Sequence, residues 1–214
     1  MLVLEEIFKS KKAENLDHFN LRVHRSISWF KKSIQQDAEL DLKFMSLWIA
    51  FNAIYAQDFV SSQDKQNFRQ FIIQIYQMDT EHKIYNLIWE KYNQQIRLLL
   101  ENPYMMQSFW DFQNQKISQS TWKEDFETER KKVHRALEGK ETVDILFVIL
   151  NRLYTLRNQI IHGGSTFNSS VNRKQLNDAC NILSRLVSVF IQLFLENAKN
   201  LDQRKPFYPV VQAS

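Results

Sequence analysis

Apolar residues recur along this chain at the three- and four-residue intervals of an α-helix, and the pattern predicts about nine helical stretches. A short one runs from about Leu2 to Lys12. Asn15 or Asp17 is placed to cap a second that reaches about Gln36, and Asp41 opens a third in which Phe44, Leu47, Trp48, Phe51 and Tyr55 keep helical spacing. Ser61-Ser62-Gln63-Asp64 interrupts the periodicity before Phe68, Phe71, Ile72 and Ile75 resume it. A helix restarting near Thr80 carries Ile84, Leu87, Ile88, Tyr92 and Ile96, and Asn102-Pro103 stops it, because proline disfavours helical geometry in the residue before it. Pro103 begins a successor. From Gln113 to Glu138 the chain turns polar and mixed in charge, which reads as a solvated helical arm or lid within one domain spanning residues 1–214. Gly139 closes that arm, Thr142 caps a helix from Val143 to His162, and a last helix spans about Val171 to Asn200. The apolar tail Pro206-Phe207-Tyr208-Pro209-Val210-Val211 is expected to dock on the bundle.

The helix from Val143 to His162 stands apart. Its six consecutive apolar residues, Ile145 to Leu150, cover every azimuth, so it is expected to be buried where it begins and polar only at its end. That end reads Arg157-Asn158-Gln159-Ile160-Ile161-His162 and closes on Gly163-Gly164, two of only 3 glycines in the chain. At about 100° per residue, Asn158 and His162 lie roughly 40° apart on one face, whereas Arg157 projects about 140° from His162, beside the apolar stripe. Two readings stay open. Arg157 pairs with a carboxylate of a neighbouring helix while His162 bonds backbone carbonyls, or the two converge on a ligand.

Composition narrows the class without choosing between them. Only 3 Gly and 3 Pro in 214 residues leave few sites for tight turns, which favours an almost entirely helical protein, and 44% hydrophobic content is ample for a core. Lys+Arg 28 against Asp+Glu 24 gives a mild excess of +4, suited to a polyanion but weak as an argument. A single cysteine, Cys180, excludes an internal disulfide, and a cytoplasmic location is the default expectation. No unbroken apolar run reaches the roughly 20 residues that span a bilayer, so no membrane partner is expected.

The segment Leu153 to Gly164, followed by Asn168-Ser169-Ser170-Val171-Asn172 and a long apolar helix, resembles the higher eukaryotes and prokaryotes nucleotide-binding (HEPN) superfamily, and within it the Apea-like branch. The stretch Leu47-Trp48-Ile49-Ala50-Phe51-Asn52-Ala53-Ile54-Tyr55-Ala56 is similar to the tryptophan-bearing helix of such proteins, and the tail from Pro206 to Val211 to their closing segment. The resemblance covers about Val143 to Val211 and that one upstream helix. It implies an all-α, HEPN-type bundle with additional helices, commonly a homodimer, in which many members are metal-independent endoribonucleases. It maps the superfamily's arginine, polar and histidine positions onto Arg157, Asn158 and His162. A prokaryotic toxin, stress or defence role follows, with RNA as substrate, no cofactor, and an antitoxin or sensor protein as a further partner. Some members have lost activity, so the alternative is a non-catalytic helical dimer that binds a nucleotide, RNA or a protein.

The chemistry fits the residue types. Cleaving RNA without metal needs a base for the 2′-hydroxyl, a cation for the phosphorus oxygens and an acid for the leaving oxygen. Imidazole exchanges protons near neutral pH, and guanidinium presents a planar donor fork to phosphate. Arg173 and Lys174, after the loop that follows His162, are candidate RNA contacts or ordinary charges of an exposed first turn. His18, His24, His82 and His134 are scattered, and no Cys or His spacing suits a metal. His24 is expected on a solvated basic face, Trp48, Phe51 and Tyr55 in the core, and Asn52 in an interhelical hydrogen bond or at the site.

Overall fold

The computed structural model describes residues 2–55, 62–199 and 208. Among them the fold is all-α, with no strand. The helices are α1 (Leu2–Lys11), α2 (Asp17–Gln35), α3 (Leu40–Tyr55), α4 (Ser62–Gln77), α5 (Lys83–Asn86), α6 (Asn93–Glu101), α7 (Gln107–Gln113), α8 (Gln119–Glu138), α9 (Thr142–Ile161) and α10 (Arg173–Glu196). The chain divides into two compact units, one of Met1–Glu81 with Leu183–Ser214 and one of His82–Ile182.

In the first unit α2 and α3 pack along each other. The stripe on α3 is core: Trp48, Phe51 and Tyr55 are buried, and the Phe51 ring lies against Trp48, Tyr55, Phe68, Phe71 and Phe190. Asn52, on the same helix, has a buried side-chain oxygen with no hydrogen-bond partner among the described residues. His24 is exposed and stacks on Phe8 with ring centroids 6.1 Å apart. Its neighbour Arg22 turns inward, where it donates to the Ile54 carbonyl and lies 5.4 Å from the centre of the Phe194 ring. Neither Asn15 nor Asp17 caps α2, because Leu16 holds the cap position without a side-chain bond, while Asn15 donates backwards to the Lys11 carbonyl. The expected docking of 206–211 falls outside the described residues, apart from the Tyr208 carbonyl, which accepts from Arg25 at 2.6 Å.

The second unit carries α5 to α9 and the start of α10. Where periodicity predicts one helix from about Thr80 to Asn102, a π-helical turn at Leu87–Lys91 separates α5 from α6, closed by Tyr92 N–H donating to the Leu87 carbonyl at 3.0 Å. The widened turn buries three consecutive apolar side chains, Leu87, Ile88 and Trp89, which a regular helix would spread around its circumference. It also lets the Trp89 indole donate to Thr142 Oγ1 at 2.9 Å. Thr142 is therefore an acceptor at the first residue of α9, not its cap, a position held by Glu141. α8 is not solvated all round. Val133, Ala136 and Leu137 are buried, Trp122 packs its ring against Phe109, Phe112 and Phe126, and α8 lies against both α7 and α9.

α10 is the one helix among the described residues long and apolar enough, by length and composition, to cross a bilayer. Within the protein 61% of that window is buried, as expected of a core helix.

Candidate functional site

α9 starts as its apolar run dictates, with Ile145, Leu146, Ile149 and Leu150 fully buried and Phe147 and Val148 half-buried. Its polar end is built by a glycine cap. Gly164 N–H donates to the Gln159 carbonyl at 2.7 Å and Gly163 N–H to the Ile160 carbonyl at 3.2 Å, the paired bonds of a Schellman motif. Gly163 sits at φ +70°, where any other L-residue is strained, and a Cβ on Gly164 would stand 2.9 Å from the Gln159 carbonyl oxygen. Both glycines are thus required by the turn. The cap leaves His162 just past the last helical residue, with its N–H on the Asn158 carbonyl at 3.0 Å and its side chain in solvent.

The structure joins two of the three expected site residues through their side chains. Arg157 Nη1 donates to Asn158 Oδ1 at 3.0 Å, on adjacent positions of the last turns. Arg157 is half-buried, and its Nε, enclosed by protein, has no acceptor among the described residues. It forms no ion pair there. The His162 imidazole stands apart from this pair: it makes no hydrogen bond among the described residues, and Asn158 meets it only through the backbone. Among the described residues, then, no carboxylate meets Arg157, and His162 bonds a backbone carbonyl through its N–H but not through its imidazole.

The carboxylate partner belongs to another arginine of the same helix, one that sequence reasoning passed over. Arg152 is buried, with Nη2 2.9 Å from Glu129 Oε1 of α8 and 3.3 Å from the Leu100 carbonyl. Burial pulls its guanidinium below the usual arginine range, and the Glu129 charge opposes that shift. The signal for it was an arginine within the run Leu150 to Leu153, where only a paired charge can be tolerated.

Arg173 turns back on its own loop, its Nε donating to the Ser169 carbonyl at 2.7 Å, while Lys174 is exposed. Lys174 stands on the wall of a cavity of about 440 Å³ that also takes in Pro103, Tyr104, Gln175 and Asp178. Gln159, between Arg157 and His162 in sequence, bonds one of the residues on that wall: its Nε2 donates to the Tyr104 carbonyl at 2.8 Å. Among the described residues no group of three His, Cys, Asp or Glu side chains is placed to hold a metal ion.

No protein-family model matches this chain, and no curated protein or solved structure matches it either.

Proposed function

We propose that this protein is a metal-independent endoribonuclease of HEPN type that acts as a homodimer in a prokaryotic toxin, stress or defence system. The observation that carries the reading is the availability of the α9 terminus: a half-buried Arg157 with no carboxylate partner among the described residues, a turn and a half from an exposed imidazole that bonds nothing there. Arg157 spends one of its five donors on Asn158 and, with its Nε enclosed, keeps the remaining Nη hydrogens for phosphate oxygens. Asn158 accepts from the guanidinium and makes no side-chain bond to the imidazole.

Chemistry follows from the geometry of in-line attack. The ribose 2′-oxygen bonds to phosphorus as its proton passes to one imidazole, and the bond from phosphorus to the 5′-oxygen breaks as a second imidazolium protonates that oxygen. One histidine cannot occupy both sides of the phosphorus. Two copies of His162 brought together by a two-fold axis can, with two Arg157 guanidiniums stabilising the charge. Ile161 (46% exposed) and Phe167 (63% exposed), on either side of the glycine pair, are apolar surface of the kind such an interface would cover.

The test is RNA incubated with the protein in excess chelator, with the product ends identified. The reading expects 2′,3′-cyclic phosphate and 5′-hydroxyl ends, and a dimer in sedimentation. Products with 5′-phosphate ends, or a strict monomer that cleaves, would overturn it in its shared-site form. A second reading, a non-catalytic dimer that binds a nucleotide, RNA or a protein, draws on the glycine pair, whose presence the helix cap accounts for by itself. It expects no cleavage by the wild type and binding that survives His162→Ala.

A further inference from the structure

We infer that the cavity beside the α9 terminus receives a nucleobase of the RNA strand and sets which nucleotide flanks the cut; this rests on the ribonuclease reading above. Its size, about 440 Å³, lies within the usual range for small-ligand sites and accommodates a purine or a pyrimidine. Tyr104 supplies the stacking face. The residue is 53% exposed, yet its backbone is fixed on three sides: its N–H donates to Asn102 Oδ1 at 3.0 Å, and its carbonyl accepts from Trp110 Nε1 at 2.7 Å and Gln159 Nε2 at 2.8 Å. Behind it, Phe109 meets the ring edge-on at 5.0 Å and is itself backed edge-on by Trp122 at 5.5 Å. An exposed aromatic held this firmly is a preorganised platform for a base.

The polar lining selects the base over the phosphate. Glu101 and Asp178 contribute two carboxylates against the single ammonium of Lys174, so an anion inside would be repelled, while the exposed Lys174 suits a phosphate outside. On α10, Gln175 and Asp178 lie three residues apart on one face, a donor beside an acceptor. Gln175 Nε2 is buried and has no acceptor among the described residues, so a base oxygen or ring nitrogen would satisfy it, and Asp178 would accept from an exocyclic amine. Uracil has no exocyclic amine and can offer Asp178 only its N3–H, so it suits this lining least.

Gln159 connects the cavity to the proposed cleavage point. Its side chain holds the Tyr104 turn and its carbonyl accepts the Gly164 cap, so one residue fixes both the aromatic platform and the backbone that carries His162.

The experiment measures binding of labelled oligoribonucleotides to full-length protein carrying His162→Ala, which is expected to hold RNA without cutting it. Adding Tyr104→Ala should weaken binding about tenfold, and Tyr104→Phe should restore it to within about threefold, because stacking needs the ring and not the hydroxyl. Asp178→Ala should reduce the preference for amine-bearing bases over oligouridine, and Gln175→Leu should weaken binding of every base. Melting curves check that each variant is folded, which is expected because the Tyr104 turn is held through its backbone. If wild type cleaves RNA and Tyr104→Ala binds as tightly as its parent, the cavity assignment falls and the ribonuclease reading stands. If no oligoribonucleotide binds, the ribonuclease reading falls and takes the cavity with it.

Discussion

The middle and the end of α9 each hold an arginine, five residues apart, in opposite situations. Arg152 is 4% exposed, paired with Glu129 and bonded to a backbone carbonyl, whereas Arg157 is half-buried and, among the described residues, bonded only to the amide beside it. A buried guanidinium with a carboxylate is what a fold requires if it is to hold a charge at all. One that keeps several donors without a carboxylate is what the proposed phosphate contact would draw on. The same residue type on one helix thus divides into an architectural half and a half available for chemistry, and neighbouring helices decide which is which. α8 reaches Arg152 through Glu129; no carboxylate among the described residues reaches Arg157.

That contrast can be broken at several points. The largest effect is expected from Arg152→Ala, which strands Glu129 and removes a packed side chain; about 3–5 kcal/mol of stability should be lost in denaturant titrations. A loss below about 1 kcal/mol would remove Arg152 from its architectural role. Next comes Arg157→Ala, for which stability should stay within about 1 kcal/mol while RNA cleavage falls by roughly 10²-fold or more. The reverse pattern, a destabilised protein with full activity, would exchange the roles of the two arginines. Gly163→Ala sharpens the comparison from the cap side. Forcing a Cβ into the left-handed position should cost about 1–2 kcal/mol and lower activity by displacing His162. Smallest is Asp37, remote from α9 in sequence. Hydrogen bonding and charge from Lys43 hold its carboxyl below the usual range, so whatever this exposed pair contributes is present above the unfolded carboxylate range and fades as pH falls through the lowered value. Asp37→Asn should leave the melting temperature at neutral pH almost unmoved; a large drop would show that surface pairs matter more here than the buried Arg152 pair.

Much of this was legible in the sequence, for reasons that are local. α9 was expected from Val143 to His162 with Thr142 as its cap and runs Thr142–Ile161, close to those bounds because an apolar run and a glycine pair are signals contained in the segment itself. The aromatic stripe of α3 was readable as core for the same reason. What the sequence withheld depends on partners distant along the chain. The π turn at Leu87–Lys91 serves a tryptophan that needs Thr142, 53 residues on. Arg152 needs Glu129, whose helix read as a solvated arm because most of its residues are polar while one narrow face carries Val133, Ala136 and Leu137 inward. At the candidate site the three residues were readable as neighbours on one helix end, but their azimuths could not reveal that Asn158 would turn its amide to Arg157 and leave the His162 imidazole apart. The cavity at Tyr104 left no motif, since its walls come from α6, the turn at Pro103–Met105 and α10.

The central claim is that the α9 terminus performs chemistry while the rest of the helix holds the fold. Its most direct test is a chelator-treated RNA cleavage assay on wild type, Arg157→Ala and His162→Ala, with melting curves run in parallel. The account predicts three proteins of nearly equal stability, of which only the wild type cuts RNA. Equal cleavage by all three, or intact RNA with all three, would contradict it.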